Sequence, residues 1–384
     1  MALLIVAVLS VFWCVVGLPM VLGAYDYDFL CYYIGGTLAR EARFADLYQP
    51  AVQRQVQDIA APGLKEARPF VRPPWFALAL APLTALPLVK AYAIWVAGWL
   101  TALLAVWVWG TWRFGETALL LAVLFMPTDI GFAYGQDCAA MLAVCCGAWA
   151  LLERRRLFAG GAVLGLGLMK FHLLLLVPLW LIVERRWRTL AGFAASGAVF
   201  ASAAFATLGV SGLRQYARLL ASGQTELFGH SPDSMINVYS VLINLGIDSR
   251  AASVVFAVVV VVVSILGMRG APQWRAMAIA LTSSLLITPH AFAYDAAMLL
   301  LPVWLVMENS KRRFPRWSAL ALANPLIFYF TAAHPPFRFV PALALLVFLA
   351  AMIADRSEPA AQRSEETAAM ASISTATLRG NAAA

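Results

Sequence analysis

Long apolar stretches separated by short polar segments recur along almost the whole chain. A helix that crosses a bilayer needs about 20 consecutive, mostly apolar residues. The pattern therefore predicts an all-α, multi-pass integral membrane protein with about ten to thirteen membrane segments in one domain, residues 1–354. Full-length stretches lie at 2–24, 91–110, 189–209, 252–268, 274–289, 291–307, 317–333 and 337–354, and shorter or broken ones at 74–89, 116–132, 138–152, 157–169 and 171–183.

The composition supports a membrane location. Apolar residues make up 62% of the chain and charged residues 12%, whereas about 25% of a soluble domain is charged. This much apolar surface exceeds what a soluble core buries, so the lipid bilayer is its expected partner. The five cysteines show no metal-ligand spacing, and the sequence predicts neither a metal site nor a cofactor.

The net charge of +8 could indicate a nucleic-acid partner, but the position of the charges argues against one. Basic residues gather in short clusters between apolar stretches, which is the pattern of cytoplasmic loops in membrane proteins. We therefore predict no nucleic-acid binding and place these clusters inside: residues 154–156, 185–188, Arg269 with Arg275, and residues 311–316.

Alternation from these inner clusters assigns the remaining loops. Two outer loops are predicted, at about 25–73 and 210–251, and the second should carry short helices over the outer mouth. The tail 355–384 falls inside, and its polar composition predicts a disordered cytoplasmic segment. Within the first loop, residues 42–59 alternate apolar and polar positions at near-helical spacing, which is typical of an interfacial amphipathic helix.

One stretch conflicts with the alternation. Three apolar segments lie between residues 74 and 135, although both ends should be outside, which needs an even number of crossings. One segment should therefore be half-length or re-entrant, and Pro127 divides the third. Broken helices at membrane depth occur where protein buries them or where they line a cavity.

The assignment gathers many polar residues on the outer side. Ionisable residues at the membrane boundary are costly and by default indicate function. Each one alone could be a helix cap or a packing partner, but their convergence favours a shared site. The set comprises Asp28, Arg72, Gln136, Asp137, Lys170, Asp295 and all four histidines, His172, His230, His290 and His334.

Asp28 is the foremost candidate for chemistry. A carboxylate in partly desolvated surroundings suits general-base work on a hydroxyl, although Asp is also a good helix N-cap. Asp26 is the neighbouring alternative. Lys170 could reach the headgroups by snorkelling, or with Arg72 it could bind a lipid phosphate. His290 and Asp295 could be capping or buried hydrogen-bonding residues, or a wall of a polar pocket.

Several short motifs, in order, resemble those of glycosyltransferase family 87, the polyprenyl-phosphate-sugar-dependent membrane glycosyltransferases with the GT-C fold. The early "DFLCYY", "RPPWFALALAPL", "YGQ" and late "PHAFAYD" carry the resemblance, together with a glycine-rich helix ending in Lys170, over about residues 10–350. Many members have Lys-Pro where this chain has Lys170 and Phe171, and an aromatic residue often stands at the position of Arg72.

The resemblance implies inverting transfer of a hexose, with mannose as the leading candidate, from a polyprenyl-phosphate donor to a glycolipid or glycan acceptor. Asp28 would be the base, and Arg72, Lys170 and His290 would stabilise the departing phosphate, with Gln136, His172 and Asp295 as further substrate contacts. The expected location is the plasma (inner) membrane, with the site facing the periplasm or exterior.

Two other functions fit the pattern. A transporter or flippase of a lipid-linked glycan or another anion would also need many spans and a polar cavity, but transporters commonly show paired repeats and midplane charges. A non-catalytic assembly partner would not need a boundary carboxylate beside basic groups.

Overall fold

The computed structural model describes residues 28–221, 232–332 and 336–355. The predicted first span, Asp26, His230, His334 and the tail after Asp355 lie outside these ranges. The described residues form α-helices and short 3₁₀ segments with no β-strand, which confirms the all-α, multi-pass class. The helices are α1 Asp28–Arg40, α2 Pro50–Ala60, α3 Pro74–Leu80, α4 Leu88–Phe114, α5 Glu116–Leu124, α6 Met126–Ala133, α7 Cys138–Glu153, α8 Leu157–Leu166, α9 Val177–Val183, α10 Trp187–Ala221, α11 Val238–Asn244, α12 Arg250–Met268, α13 Gln273–Ile287, α14 Leu300–Asn309, α15 Arg313–Ala323, α16 Pro325–Tyr329 and α17 Val340–Ala354.

Five helical segments among the described residues are long and apolar enough to cross a bilayer. The bent pair α5–α6, which turns by 45°, makes a sixth if it counts as one span. The predicted number of ten to thirteen membrane segments stays a prediction. Other apolar stretches, such as those that form α7, α13 and α14, give helices that are shorter than a full crossing. The five segments are Leu88–Phe114, Leu157–Leu174, Trp187–Ala221, Arg250–Met268 and Phe337–Ala354.

The conflict between residues 74 and 135 has a structural answer. The first of the three apolar stretches forms α3, whose seven residues span roughly 10 Å and cannot cross a core of about 30 Å. The third stretch bends at Phe125, just before Pro127. That leaves α4 and the bent pair as two candidate crossings, which is the even number that the alternation needs.

Close helix packing in the middle of the chain depends on glycine. A Cβ on Gly161 of α8 would lie 1.9 Å from the carbonyl oxygen of Thr189, and one on Gly192 of α10 would lie 2.0 Å from that of Phe158. Small residues let helix backbones approach this closely inside membranes. The contact fixes α8, and with it the segment that carries Lys170 and His172.

A helix forms in the region 42–59, and its interfacial position stays a prediction. It is shorter, Pro50–Ala60, and it buries Gln53 and Gln57 while Ile59 is exposed. The two glutamines bind the backbone of the following loop. Gln53 exchanges hydrogen bonds with the backbone of Phe70 (2.8 and 3.0 Å), and Gln57 accepts one from the Arg68 amide (2.9 Å). This helix therefore holds the loop that leads to Arg72.

Candidate active site

The seven residues predicted as a site come together in the structure. All of them line one cavity of about 290 Å³, close to the lower limit of small-molecule sites. They arrive from segments far apart in the chain, so the alternation of loops predicted a real spatial convergence. The seven are Asp28, Arg72, Gln136, Lys170, His172, His290 and Asp295.

Asp28 lies in the first described turn of α1, and its carboxylate reaches the cavity. Oδ2 accepts a hydrogen bond of 2.7 Å from Nε2 of Gln136, and the backbone amide donates to the carbonyl of Tyr134 (3.2 Å). The next residue, Phe29, packs its ring against Tyr92 of α4, with centroids 5.2 Å apart. These contacts hold a partly exposed carboxylate at the cavity wall.

A tight turn after α6 presents Gln136 and Asp137. Gly135 has φ +68°, the Gln136 amide donates to the carbonyl of Gly131 (2.8 Å), and the Gly135 amide donates to that of Phe132 (3.0 Å). This is the Schellman arrangement that ends a helix with a glycine of positive φ. The "YGQD" sequence thus ends α6 and places the side chains of Gln136 and Asp137 at the site.

The amide of Gln136 has a fixed orientation. Its Oε1 accepts from the Tyr32 hydroxyl (2.7 Å), Lys170 Nζ (3.1 Å) and Arg72 Nη2 (3.3 Å). Those three are donors, so the oxygen must face them and the NH₂ group must face Asp28. The Asp28 oxygen that faces this NH₂ group is therefore the acceptor of the hydrogen bond.

Lys170 is buried at a break in its helix, where its φ of −123° and ψ of 56° are non-helical. Its ammonium contacts Asp137 (2.8 Å), Asp295 (2.9 Å) and Gln136 (3.1 Å), and its side chain is 2% exposed. An ammonium has three protons, so these contacts use them all. This geometry therefore suits a role in holding the surrounding side chains better than the expected role of Lys170 in binding the donor phosphate.

Asp137 belongs to the polar set that topology placed on the outer side, but sequence reasoning gave it no substrate contact. Its fully buried carboxylate pairs with Lys170 and with Arg72 Nη2 (3.0 Å). Burial alone would raise the pKa of Asp137, but these two cations hold it below its ordinary value. Asp295 completes the group: Oδ1 contacts Lys170, and Oδ2 accepts from the Phe292 amide (3.0 Å) at the start of the next turn.

Arg72 joins this buried group to the cavity. Its Nη2 donates to the Tyr32 hydroxyl (2.7 Å) and to Asp137, and the hydroxyl of Tyr48 donates to its backbone carbonyl (2.9 Å). Burial would lower the pKa of Arg72, but Asp137 and Tyr32 raise it above the ordinary value. Its Nη1 is buried and has no hydrogen-bond partner among the described residues.

The two described histidines flank the cavity together. The rings of His172 and His290 lie 6.2 Å apart in an edge-to-face arrangement, and His290 also packs edge-on against Phe292 at 4.8 Å. Neutral imidazole offers one donor and one acceptor. Within the described ranges, no group of three or more His, Cys, Asp or Glu side chains is arranged to hold a metal ion.

Sequence reasoning missed further residues of this site. Topology placed Asp137 in the predicted outer set, but nothing in the sequence showed its pairing with two cations. Tyr32 and Tyr294 were parts of motifs without a chemical role, and Arg68 and Tyr216 carried no signal. The residues concerned are Tyr32, Arg68, Asp137, Tyr216 and Tyr294, of which all but Asp137 line the cavity.

Helical segments of membrane-spanning length and a cavity lined by a carboxylate, cations and histidines define a multi-pass membrane protein with a candidate small-molecule site. The profile of glycosyltransferase family 87 matches residues 70–289, which is more than half of the chain. The chain belongs to this family and is a membrane glycosyltransferase. Searches of curated proteins and of solved structures gave no match.

Proposed function

We propose that the protein transfers a hexose from a polyprenyl-phosphate donor to a hydroxyl of a glycolipid or glycan acceptor, with inversion at the anomeric carbon. Mannose is the first sugar to test. The observation that carries the proposal is the carboxylate of Asp28, which Gln136 keeps as an acceptor at the wall of the cavity. Membership of a glycosyltransferase family favours this activity over transport.

In the proposed reaction, Asp28 takes the proton of the acceptor hydroxyl as its oxygen attacks the anomeric carbon. The bond from that carbon to the phosphate oxygen breaks on the opposite face, and the phosphate leaves as the anion of the polyprenyl phosphate. One displacement inverts the configuration. A base positioned within hydrogen-bond reach contributes about 10²- to 10⁴-fold in rate.

The charges in the site support different roles for the buried ion pairs and for the residues that face the cavity. Lys170 and Arg72 balance the buried carboxylates of Asp137 and Asp295, so this group of four is neutral as a whole. Arg72, His172 and His290 remain available to the leaving phosphate from the cavity side, where charge develops in the transition state. Lys170 acts in this proposal as a positioning residue that holds Gln136 and the two aspartates.

The site is proposed to face away from the cytoplasm of a plasma (inner) membrane. Helix α7 leads from Asp137 at the cavity to the basic loop 154–156, and α14 leads from the Asp295 turn to the basic loop 311–316. Basic loops favour the cytoplasmic side. The cavity therefore lies at the opposite end of these helices, where lipid-linked sugars rather than nucleotide sugars serve as donors.

The test is a donor comparison with purified protein in lipid nanodiscs. Polyprenyl-phosphate mannose and polyprenyl-phosphate glucose are supplied in parallel with the matching nucleotide sugars, and the anomeric configuration of the product is determined by NMR. Transfer from a lipid-linked donor with inversion is expected. Transfer from a nucleotide sugar alone, or retention of configuration, would contradict the proposal.

A further inference from the structure

Tyr216 lines the cavity, and its hydroxyl is a buried polar group. The residue is 9% exposed, and its hydroxyl has no hydrogen-bond partner among the described residues. Buried polar side-chain atoms are partnered in the large majority of cases. An exception at the wall of a cavity is a position where a bound ligand or a water molecule can supply the missing partner.

Tyr216 is held rigidly and close to Arg72. Its ring stacks on that of Tyr48, with centroids 4.8 Å apart and an angle of 24° between the planes, and the Tyr48 hydroxyl binds the Arg72 carbonyl. Arg72 contributes a further buried donor, its Nη1, which has no hydrogen-bond partner among the described residues. A phenol hydroxyl and a guanidinium N–H both donate, and one of them is cationic, so the matching ligand group is an anionic oxygen such as that of a phosphate.

The face of α10 beside Tyr216 is apolar. Tyr216, Leu219 and Leu220 follow the i, i+3, i+4 spacing of one helix face, and all three line the cavity. The charged residues of this part of the helix, Arg214 and Arg218, are exposed. The two donors, the Tyr216 hydroxyl and Arg72 Nη1, thus lie on the same cavity wall as the apolar side chains of Leu219 and Leu220. This arrangement fits a phosphate that carries a hydrocarbon chain better than a free phosphate ion.

We propose that Tyr216 and Arg72 bind the phosphate of a lipid-phosphate substrate through the Tyr216 hydroxyl and Arg72 Nη1. The first hydrocarbon units of that substrate lie along Leu219 and Leu220. This subsite rests on the proposed function in that it identifies where the polyprenyl-phosphate donor is held. Tyr216 makes no covalent step and determines the affinity for the donor.

The experiment measures binding of farnesyl phosphate to the purified full-length protein, with farnesol and inorganic phosphate as the two partial ligands. Wild type should bind farnesyl phosphate more tightly than either one. Tyr216→Phe, which removes one oxygen and keeps the stacked ring, should weaken binding of farnesyl phosphate about tenfold or more. It should leave farnesol binding unchanged.

Tyr33→Phe is the matched control, because its hydroxyl bonds to the Leu86 carbonyl (2.8 Å) and does not line the cavity. Binding of farnesyl phosphate to Tyr216→Phe within twofold of wild type would overturn the proposal. Inorganic phosphate that binds as tightly as farnesyl phosphate would overturn the lipid part of it.

The same variant separates this inference from the proposed function. If lipid-linked sugars are transferred, Tyr216→Phe should raise KM for the donor much more than it lowers kcat, and an unchanged KM would defeat the subsite alone. If no donor supports transfer but Tyr216→Phe still weakens farnesyl phosphate binding, the catalytic proposal fails and the subsite stands.

Discussion

Two ion-pair clusters lie at opposite ends of the same helices. At the cavity end, Lys170 pairs with Asp137 just before α7 and with Asp295 just before α14. At the far end, Arg113 of α4 pairs with Glu153 at the end of α7 (2.6 Å) and with Glu308 near the end of α14. Both clusters connect α7 and α14 to a third segment, which is the one that carries Lys170 at the cavity end and the one that carries Arg113 at the far end. Comparing the two clusters therefore shows how the cavity cluster differs from an ion-pair cluster outside the cavity.

The clusters differ in burial. The side chains of Lys170 and Asp137 are 2% and 0% exposed, whereas those of Arg113 and Glu153 are 30% and 25% exposed. Water and salt weaken charge interactions at the far cluster, so it contributes little to stability. The buried cluster is expensive to break, because removing one partner leaves a charge without compensation.

The clusters also differ in what they leave unsatisfied. The guanidinium of Arg113 contacts both glutamates through Nε, Nη1 and Nη2. Arg72 at the cavity end keeps Nη1 without a partner among the described residues, beside a cavity that also exposes the Asp28 carboxylate. The cavity cluster therefore differs from the far cluster in its burial and in a guanidinium N–H that has no partner among the described residues.

The largest effect on stability is expected from Lys170→Met. The substitution leaves Asp295 without its cation in a buried position and should lower the free energy of unfolding by about 3–5 kcal/mol. Adding Asp295→Asn should recover part of the loss, because the pair Arg72–Asp137 then remains balanced. Unfolding of each variant in mixed detergent micelles gives these values, and a Lys170→Met protein as stable as wild type would refute the cost assigned to the buried cluster.

An intermediate effect, on activity, is expected from Gln136→Glu. The carboxylate keeps acceptor oxygens for Lys170 and Tyr32 but replaces the N–H donor that faces Asp28 with a second anion. A like charge disfavours the ionised form of the base. The acid limb of the pH–activity profile should move to higher pH, and kcat at neutral pH should fall about tenfold to a hundredfold.

Gln49→Glu serves as the control for this measurement, since Gln49 is exposed and does not line the cavity. A Gln136→Glu profile that coincides with that of wild type would show that Gln136 does not orient the base.

The smallest effect is expected from Arg113→Met at the far cluster. Partly exposed pairs of this type contribute about 0–1 kcal/mol, and the loss should shrink further at high salt. Transfer activity should stay within twofold of wild type. A loss of stability comparable with that of Lys170→Met would contradict the distinction between the two clusters.

Much of the site was predictable because topology depends on composition. Apolar length predicted the membrane segments, and the basic clusters predicted how the loops alternate between the two sides. These two signals alone place Asp28, Arg72, Gln136 and Lys170 on one side of the membrane. The length of an apolar stretch and the position of a basic cluster can be read directly from the sequence, so neither requires knowledge of how the helices pack.

What could not be predicted depends on which side chains meet. The buried pairing of Lys170 with two aspartates requires the Schellman turn at Gly135 and the helix break at Lys170 to face each other. Tyr216 reaches the cavity because α10 changes direction at Gly209, whose φ of 60° and ψ of −172° suit glycine almost exclusively. Neither event leaves a periodic pattern in the sequence.

The central claim is that Asp28 is the catalytic base. In nanodiscs supplied with polyprenyl-phosphate sugar, we compare wild type with Asp28→Asn, which keeps a similar shape but cannot take the proton, and with Asp26→Asn, its neighbour in the same motif. Asp28→Asn should lower kcat by about a hundredfold or more, with unchanged expression and unfolding temperature, while Asp26→Asn stays close to wild type. Turnover of Asp28→Asn at the wild-type rate, or loss of turnover in Asp26→Asn alone, would contradict the account.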